Sequence, residues 1–231
     1  MPRNLRFRIL RHQKHAEQLG GFGSTWTNQN TLFLNLPVDQ LLAITAYGEA
    51  ASEGAEGMMA VLNVIKNRTK ENQFYDSEIY NLTRSAYHAV ILKPKQFSMF
   101  NIGNAVRPIA ERMANNFYSE VSSNSTLAQA YQLAQMLVSG QLADNTGNSQ
   151  YYHATYVSPS WASSYALMGQ IGQHLFYSTN PQQASVQQTS VQWTAEEIPT
   201  VPIEAGLGGG FGNILIVGIA MGLIGLMIFR R

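Results

Sequence analysis

Residues 38–68 read VDQLLAITAYGEAASEGAEGMMAVLNVIKNR, and this stretch decides the fold of the chain. Its first half places apolar and small residues at helical spacing after Pro37, which is tolerated in a first helical turn. Its second half carries an apolar stripe that recurs at the spacing of helical turns. Three glycines mark the junction between the two patterns: Gly48, Gly54 and Gly57. Because a glycine inside a helix costs about 1 kcal/mol, the stretch predicts two helices that meet here, with Ser52 as the N-cap of the second.

Three acidic residues lie at this junction: Glu49, Glu53 and Glu56. Their spacings of four and three residues bring like charges together on a helix, where they repel each other. Such crowding raises the pKa of at least one carboxyl group, and partial burial raises it further. A carboxyl group that stays protonated near neutral pH can act as a general acid. A solvated acidic helix start is the alternative interpretation, and the spacing alone leaves both open.

Residues 47–68 resemble the opening motif of the SleB-like cell wall hydrolases, in which a GEA-x-x-E-x-x-x-G element runs into an apolar helix that ends in Asn-Arg. Further pieces follow in the order of that family: Gln96-Phe97-Ser98, Gly140 with Asp144, Tyr151-Tyr152-His153, Trp161, and IGQHLFY at residues 171–177. The resemblance covers roughly residues 41–177. Several motifs in a fixed order are far more specific than any one of them.

The resemblance implies a peptidoglycan-cleaving enzyme with a lysozyme-like catalytic domain, similar to the lytic transglycosylases. The expected fold is mostly α, an α+β domain with a minor β element. The family uses one glutamate, the first of the GEA motif, which corresponds to Glu49 here. Glu53 is the second catalytic candidate, either as a neighbour that holds the pKa of Glu49 up or as a second carboxylate in true hydrolysis.

Six residues are predicted to contact the substrate: Gln96, Ser98, Tyr151, Tyr152, His153 and Trp161. The resemblance places the loop around Gln96 at the border of the active cleft, and the alternative is a loop anchored by a buried Phe97. The resemblance also places the short extended segment at residues 151–154 opposite the catalytic glutamate. Trp161 either stacks on a sugar ring or caps the core. His153 and His174 are single histidines, which more often have structural roles.

Composition limits the remaining functions. The formal net charge is +1 with 13% charged residues, so there is no electrostatic case for nucleic-acid binding. The sequence contains no cysteine, which excludes disulfides and thiolate chemistry. Its five histidines lack a paired metal-ligand spacing, so neither a metal site nor a cofactor is expected.

The sequence divides into four segments. Residues 1–30 are predicted to be a basic flexible arm that lacks the apolar region of a secretory signal peptide, and the arm is either solvated or attached to an anionic surface. Residues 31–177 form the predicted catalytic domain. Residues 178–204 are a polar linker with a reach on the order of 30 Å. Residues 205–231 are predicted to be a C-terminal transmembrane anchor.

The anchor prediction rests on residues 207–229, which contain no charged residue. They correspond to about 35 Å of helix, enough to cross a lipid bilayer. Gly218 and Gly222 are spaced for close contact with another helix. The expected location is therefore a membrane, either the bacterial cell envelope or a virion membrane, with the orientation left open. The alternatives to a transglycosylase are a hydrolytic muramidase, with Glu53 or Asp144 as the base, and a non-catalytic wall-binding or virion structural protein.

Overall fold

The computed structural model describes the backbone of residues 23–179 and the side chains of residues 29–179. Within these residues no helix is both long and apolar enough to cross a bilayer. The predicted linker beyond residue 179, the predicted anchor and most of the predicted arm lie outside the described residues.

Eight α-helices and three strands make up the described part of the chain. The helices are α1 (Gly23–Leu34), α2 (Val38–Ala50), α3 (Gly54–Arg68), α4 (Ser77–Thr83), α5 (Ala86–Ile91), α6 (Arg107–Asn115), α7 (Phe117–Ser123) and α8 (Ser125–Val138). The strands are β1 (Tyr151–Ala154), β2 (Ala166–Ile171) and β3 (His174–Ser178). The prediction of a mostly helical domain with a small β element is confirmed.

Helices α2 and α3 are the two helices predicted from the opening stretch, and α8 packs against both of them. A short 3-10 turn, Ala51–Glu53, joins α2 to α3. The predicted N-cap is wrong, because Glu53 rather than Ser52 occupies that position and its side chain makes no capping hydrogen bond. The break comes instead from Gly54, whose φ of +67° lies in the left-handed region that favours glycine.

Helix α8 is amphipathic, with Leu127, Tyr131 and Ala134 buried. The side chain of Asn124 caps its start by accepting a hydrogen bond from the Leu127 N–H. Gly140 follows its end with a φ of +77°, in the left-handed region that favours glycine after a helix. Val138, at the last position of the helix, is 51% exposed.

The three strands form an antiparallel sheet in the order β1-β3-β2. The extended segment predicted at residues 151–154 is strand β1. In the register of the central strand, Tyr152 is opposite Phe176. Both rings pack towards Ala60 and Val64 of α3. The sheet therefore packs against α3, the helix that begins at the acidic junction.

The predicted arm ends earlier than expected, since α1 begins at Gly23 rather than after residue 30. Tertiary contacts account for this helix. The guanidinium group of Arg107 donates to the Oδ1 atom of Asn30 and to the backbone carbonyl of Gln29, and it lies 5.1 Å from the ring centroid of Phe33. A local hydrophobic pattern cannot reveal a partner that lies far along the sequence.

Candidate active site

Glu49 lies in the last turn of α2, with its carboxyl group beneath strand β1. The Tyr152 hydroxyl donates a hydrogen bond of 3.0 Å to its Oε2 atom. Its Oε1 atom is buried and has no hydrogen-bond partner among the described residues. A Cβ atom added to the neighbouring Gly48 would lie 2.4 Å from the sulfur of Met99, so the backbone beside Glu49 is tightly packed. The arrangement leaves one carboxyl oxygen fixed and the other without a partner in the described part of the chain.

Burial raises the pKa of the Glu49 carboxyl group. The hydrogen bond from Tyr152 and the charges of His174 and Arg68 oppose this rise without cancelling it. The sequence predicts this rise from crowding among three acids and from partial burial; burial is the largest cause, and no other carboxylate among residues 29–179 contributes. Glu56 is exposed on the surface. Glu49 thus favours the protonated form that a general acid requires.

Glu53 is held in a different way. Its Oε1 atom accepts a 3.0 Å hydrogen bond from the backbone N–H of Gln173. The Nδ1 atom of His174 lies 2.8 Å from the same oxygen, within ion-pair distance although the ring is not aligned for a hydrogen bond. The Oε2 atom is buried without a partner in the described part of the chain, and the side chain is only 6% exposed.

Two glycines close around the Glu53 side chain. A Cβ atom on Gly172 would lie 2.7 Å from the Cδ atom of Glu53, and one on Gly57 would lie 2.4 Å from its Cβ atom. Gly172 is also in the left-handed region, with a φ of +54° in the turn between β2 and β3. Glycine is therefore required at this turn both for its conformation and for the close approach of Glu53.

Arg68, the last residue of α3, is buried on the same side of the sheet. Its Nε atom donates to the Gln150 carbonyl at 2.7 Å, and its Nη1 atom donates to the Oε1 atom of Gln96 at 3.0 Å. Its guanidinium carbon lies 5.8 Å from the ring centroid of Tyr152. Burial lowers the pKa of Arg68. Gln96, predicted to contact substrate, thus supports a buried arginine.

The loop that follows Gln96 borders Glu49 through packing. Phe97 is 1% exposed, as expected if this side chain anchors the loop. Ser98 is partly buried and begins the 3-10 turn Ser98–Phe100, whose second residue, Met99, packs against Gly48. The loop is therefore next to the acid, but the structure shows no contact between Ser98 and Glu49.

Three consecutive residues of β1 are predicted to contact the substrate, and their side chains lie on the two opposite faces of the sheet. Tyr152 faces Glu49, whereas Tyr151 and His153 belong to the opposite face. There they pack around Trp161, with ring centroids 5.3 Å from Tyr151 and 5.5 Å from His153. The expectation that the whole segment faces the catalytic glutamate is wrong, because side chains alternate along a strand. Trp161 thus covers a packed face of the sheet, and its contact with a sugar ring stays a prediction.

Asp144 organises its own loop. Its Oδ1 atom accepts from the backbone N–H of Thr146 at 2.7 Å and from the hydroxyl of Thr146 at 2.6 Å. Its Oδ2 atom accepts from the Asn148 N–H and the Asn67 side-chain amide, each at 3.1 Å. Both oxygens are thus occupied by structural partners.

Sequence reasoning missed Arg68 and assigned no role at the site to His174. Both lie within motifs that carried the family resemblance, at the end of the apolar helix and in the closing IGQHLFY segment. Their side chains meet the acids only through tertiary packing. Within the described residues, no group of three or more His, Cys, Asp or Glu side chains could hold a metal ion.

The class of protein is defined by a match between the sequence and a known family. The profile of the Cell Wall Hydrolase family matches residues 52–177, which is more than half of the 231-residue chain. This chain belongs to that family. The match includes Glu53, Arg68, Tyr152 and His174, and it begins three residues after Glu49.

Among solved structures, the chain is similar to the catalytic domain of the germination-specific lytic transglycosylase SleB from Bacillus anthracis. The two sequences are 26% identical over 60% of this chain and 92% of that chain, with a TM-score of 0.42. No curated protein shows significant sequence similarity.

Proposed function

We propose that this protein cleaves the glycosidic bond between N-acetylmuramic acid and N-acetylglucosamine in peptidoglycan, as a lytic transglycosylase with Glu49 as its acid and base. The observation that carries the proposal is the buried carboxyl group of Glu49, whose Oε2 atom is held by Tyr152 and whose Oε1 atom has no partner in the described residues. A protonated carboxyl group with an unused oxygen is suited to donate a proton to a bound substrate.

In the proposed reaction, Glu49 donates its proton to the glycosidic oxygen while the bond from that oxygen to the muramic acid C1 atom breaks. An oxocarbenium-like centre develops at C1. The Glu49 carboxylate then accepts the proton of the muramic acid C6 hydroxyl, whose oxygen forms the new bond to C1. The product is a 1,6-anhydro sugar, and no water is consumed. One carboxylate serves both steps, in contrast to the pair used by most glycosidases.

The environment of the second carboxylate supports transglycosylation over hydrolysis. A hydrolytic muramidase needs a base that reaches a water molecule. One oxygen of Glu53 is occupied by Gln173 and His174, and its side chain is 6% exposed. Both oxygens of Asp144 accept hydrogen bonds from its surroundings. The intact buried acid also argues against a non-catalytic wall-binding protein, for which Glu49 would have no need of its raised pKa.

The test is Glu49→Gln in the full-length protein, solubilised in mild detergent and applied to purified cell wall. Glutamine keeps the size of the side chain and cannot supply the proton. We expect a loss of about 100- to 10,000-fold in cleavage, with thermal unfolding little changed. Glu56→Gln is the matched control, because that acid is exposed, and it should cleave normally.

Mass spectrometry of the wild-type products distinguishes the two enzymatic outcomes. Anhydro ends support transglycosylation, and reducing ends indicate a hydrolytic muramidase. A folded Glu49→Gln variant with near wild-type cleavage would remove Glu49 from the proposed role.

We also infer membrane attachment through residues 207–229, on the strength of their composition alone. The full-length protein is then expected to stay with lipid vesicles in high salt, because apolar burial is not screened by salt. Arginine at both Val217 and Ile219 should weaken insertion by roughly 2.5–3.5 kcal/mol for each charge. Release of the unaltered protein by salt would contradict the anchor and leave the catalytic proposal standing.

A further inference from the structure

The fold buries two arginines in similar surroundings and gives only one of them a carboxylate. Arg68 and Arg107 are each 8% exposed, and each guanidinium lies over a phenylalanine ring. The Nε atom of Arg107 is 2.8 Å from the Oε1 atom of Glu111. Arg68 has no carboxylate oxygen within 4.0 Å among residues 29–179. Its charge is therefore buried without a direct counter-ion in that part of the chain.

The partners of Arg68 hold the guanidinium group in place without neutralising it. Gln150 and Gln96 offer neutral oxygens, and the rings of Phe74, Phe97 and Tyr152 surround the charge at 5.0, 5.5 and 5.8 Å from their centroids. An arginine keeps its proton under such conditions. A buried charge without a counter-ion lowers stability, so this arrangement needs a reason beyond packing.

Tyr152 connects this charge to Glu49. Its ring is in contact range of the guanidinium group, and its hydroxyl donates to the Oε2 atom of Glu49. The charge of Arg68 also opposes the rise in the pKa of Glu49. Glu53, the other buried acid, lies against His174 instead. Of the two acids, Glu49 is the one without a basic side chain within ion-pair distance among the described residues.

We infer that Arg68 is a positioning residue whose buried charge becomes balanced when Glu49 gives up its proton. This inference rests on the proposed role of Glu49. With Glu49 protonated, Arg68 has no carboxylate oxygen within 4.0 Å in the described part of the chain. Once the proton moves to the glycosidic oxygen, a carboxylate forms at the hydroxyl group of Tyr152. The fixed charge therefore favours the ionised form of Glu49 in the step that breaks the bond, as preorganised charges do at other active sites.

The experiment compares Arg68→Met with Arg107→Met in the full-length protein, by measuring wall cleavage against pH. Three groups face the Glu49 carboxyl group and act on its pKa, namely Tyr152 from β1, His174 from β3 and Arg68 from α3. Removal of Arg68 alone should lower the maximal rate at least about 10-fold. It should also move the alkaline limb of the pH profile to higher pH, because Glu49 then holds its proton more tightly.

Arg107→Met should lower the unfolding temperature and leave the alkaline limb at the wild-type pH. Arg68→Lys keeps the charge, so the alkaline limb of its pH profile should stay at the wild-type pH. Its maximal rate of cleavage should fall. If Arg68→Met does not fold, citrulline introduced at this position by genetic-code expansion is the substitute, because it is neutral and retains the Nε–H and a terminal amide for both hydrogen bonds. It should shift the limb in the same direction.

If a folded variant with a neutral side chain at Arg68 kept the alkaline limb of its pH profile at the wild-type pH, the inference would be overturned. Arg68 would then have a purely structural role. That result is distinguishable from failure of the proposed function, because Glu49→Gln would still be inactive. If Glu49→Gln cleaved normally, both the function and the inference built on it would fail.

Discussion

The two faces of the three-stranded sheet have similar residues and different chemistry. The face towards α3 carries Tyr152, His174 and Phe176. The opposite face carries two tyrosines and a histidine from β1 and β3, covered by Trp161 and Tyr165: Tyr151, His153 and Tyr177. Each face has rings that stack and hydroxyl groups that donate hydrogen bonds. They differ in what lies opposite them.

We call the face covered by Trp161 and Tyr165 the outer face and the face towards α3 the inner face. On the outer face the polar atoms form hydrogen bonds with one another. Tyr165 donates to the Tyr151 hydroxyl at 3.2 Å, and the Nε2 atom of His153 lies 3.0 Å from the hydroxyl of Tyr177. Burial, followed by the hydrogen bond with Tyr165, raises the pKa of Tyr151 to about 12. On the inner face the Tyr152 hydroxyl meets the acid instead. The chemistry of a tyrosine here depends on its partner, and alternation along one strand decides that partner.

The largest expected effect is on stability and comes from the inner face. Phe176 is 1% exposed between the sheet and α3, so Phe176→Ala should lower the free energy of unfolding by about 3–5 kcal/mol. Leu167→Ala is the matched control on strand β2, because Leu167 is 57% exposed and should cost less than about 0.5 kcal/mol. Denaturant unfolding measures both. Equal losses would show that the sheet is not packed on α3 in this way.

The next effect separates two adjacent tyrosines. Tyr152→Phe removes the hydrogen bond to Glu49, which is worth about 1.5–3 kcal/mol with a charged partner. Cleavage should therefore fall about 10- to 100-fold. Because this bond lowers the pKa of Glu49, its loss raises that pKa further, and activity should extend to higher pH.

Tyr151→Phe provides the control, since it removes a hydroxyl group from the outer face of the same strand. Its cleavage rate and pH profile should remain those of the wild type. If the two variants lost activity equally, the division of the strand into a catalytic face and a packing face would be refuted.

A smaller effect concerns the turn at the edge of the inner face. Gly172→Ala and Gly140→Ala both place a side chain at positive φ, +54° and +77°, which costs about 1–2 kcal/mol in each case. A new methyl group at residue 140 meets no atom within 4 Å, whereas at residue 172 it meets Glu53. Gly172→Ala should therefore be less stable than its control by at least about 1 kcal/mol. Thermal unfolding of the two variants checks this, and equal stabilities would argue against the close approach of residue 172 to Glu53.

The smallest effect is expected for Trp161→Phe on the outer face. An aromatic ring is retained there, so stability should fall by less than about 1.5 kcal/mol, with normal cleavage of soluble wall fragments. Sedimentation with intact cell wall tests whether this face binds glycan. A marked loss of binding in the folded variant would support the sequence-based prediction that Trp161 contacts the substrate, and unchanged binding would contradict it.

Local patterns in the sequence predicted the elements that surround the site. Apolar periodicity and the glycine junction were enough for α2 and α3, and residues 144–149, which are rich in turn formers, precede the extended segment that is β1. The division of β1 into two faces required its register with β3, which pairs Tyr152 with Phe176. The contact between Arg68 and Tyr152 could not be predicted, because those residues are far apart in sequence and meet only when the sheet closes over α3.

The place of Glu49 within α2 has a consequence for its proton. The helix ends at Ala50, one residue beyond the acid. Aligned peptide dipoles leave partial negative charge on the carbonyl groups at a helix C-terminus, which disfavours a nearby carboxylate by about 0.3–1 kcal/mol. The backbone of α2 therefore acts in the same direction as burial and helps to retain the proton. A redesign that extended α2 by one turn beyond Glu49 would weaken this end effect, even with every side chain around the acid unchanged.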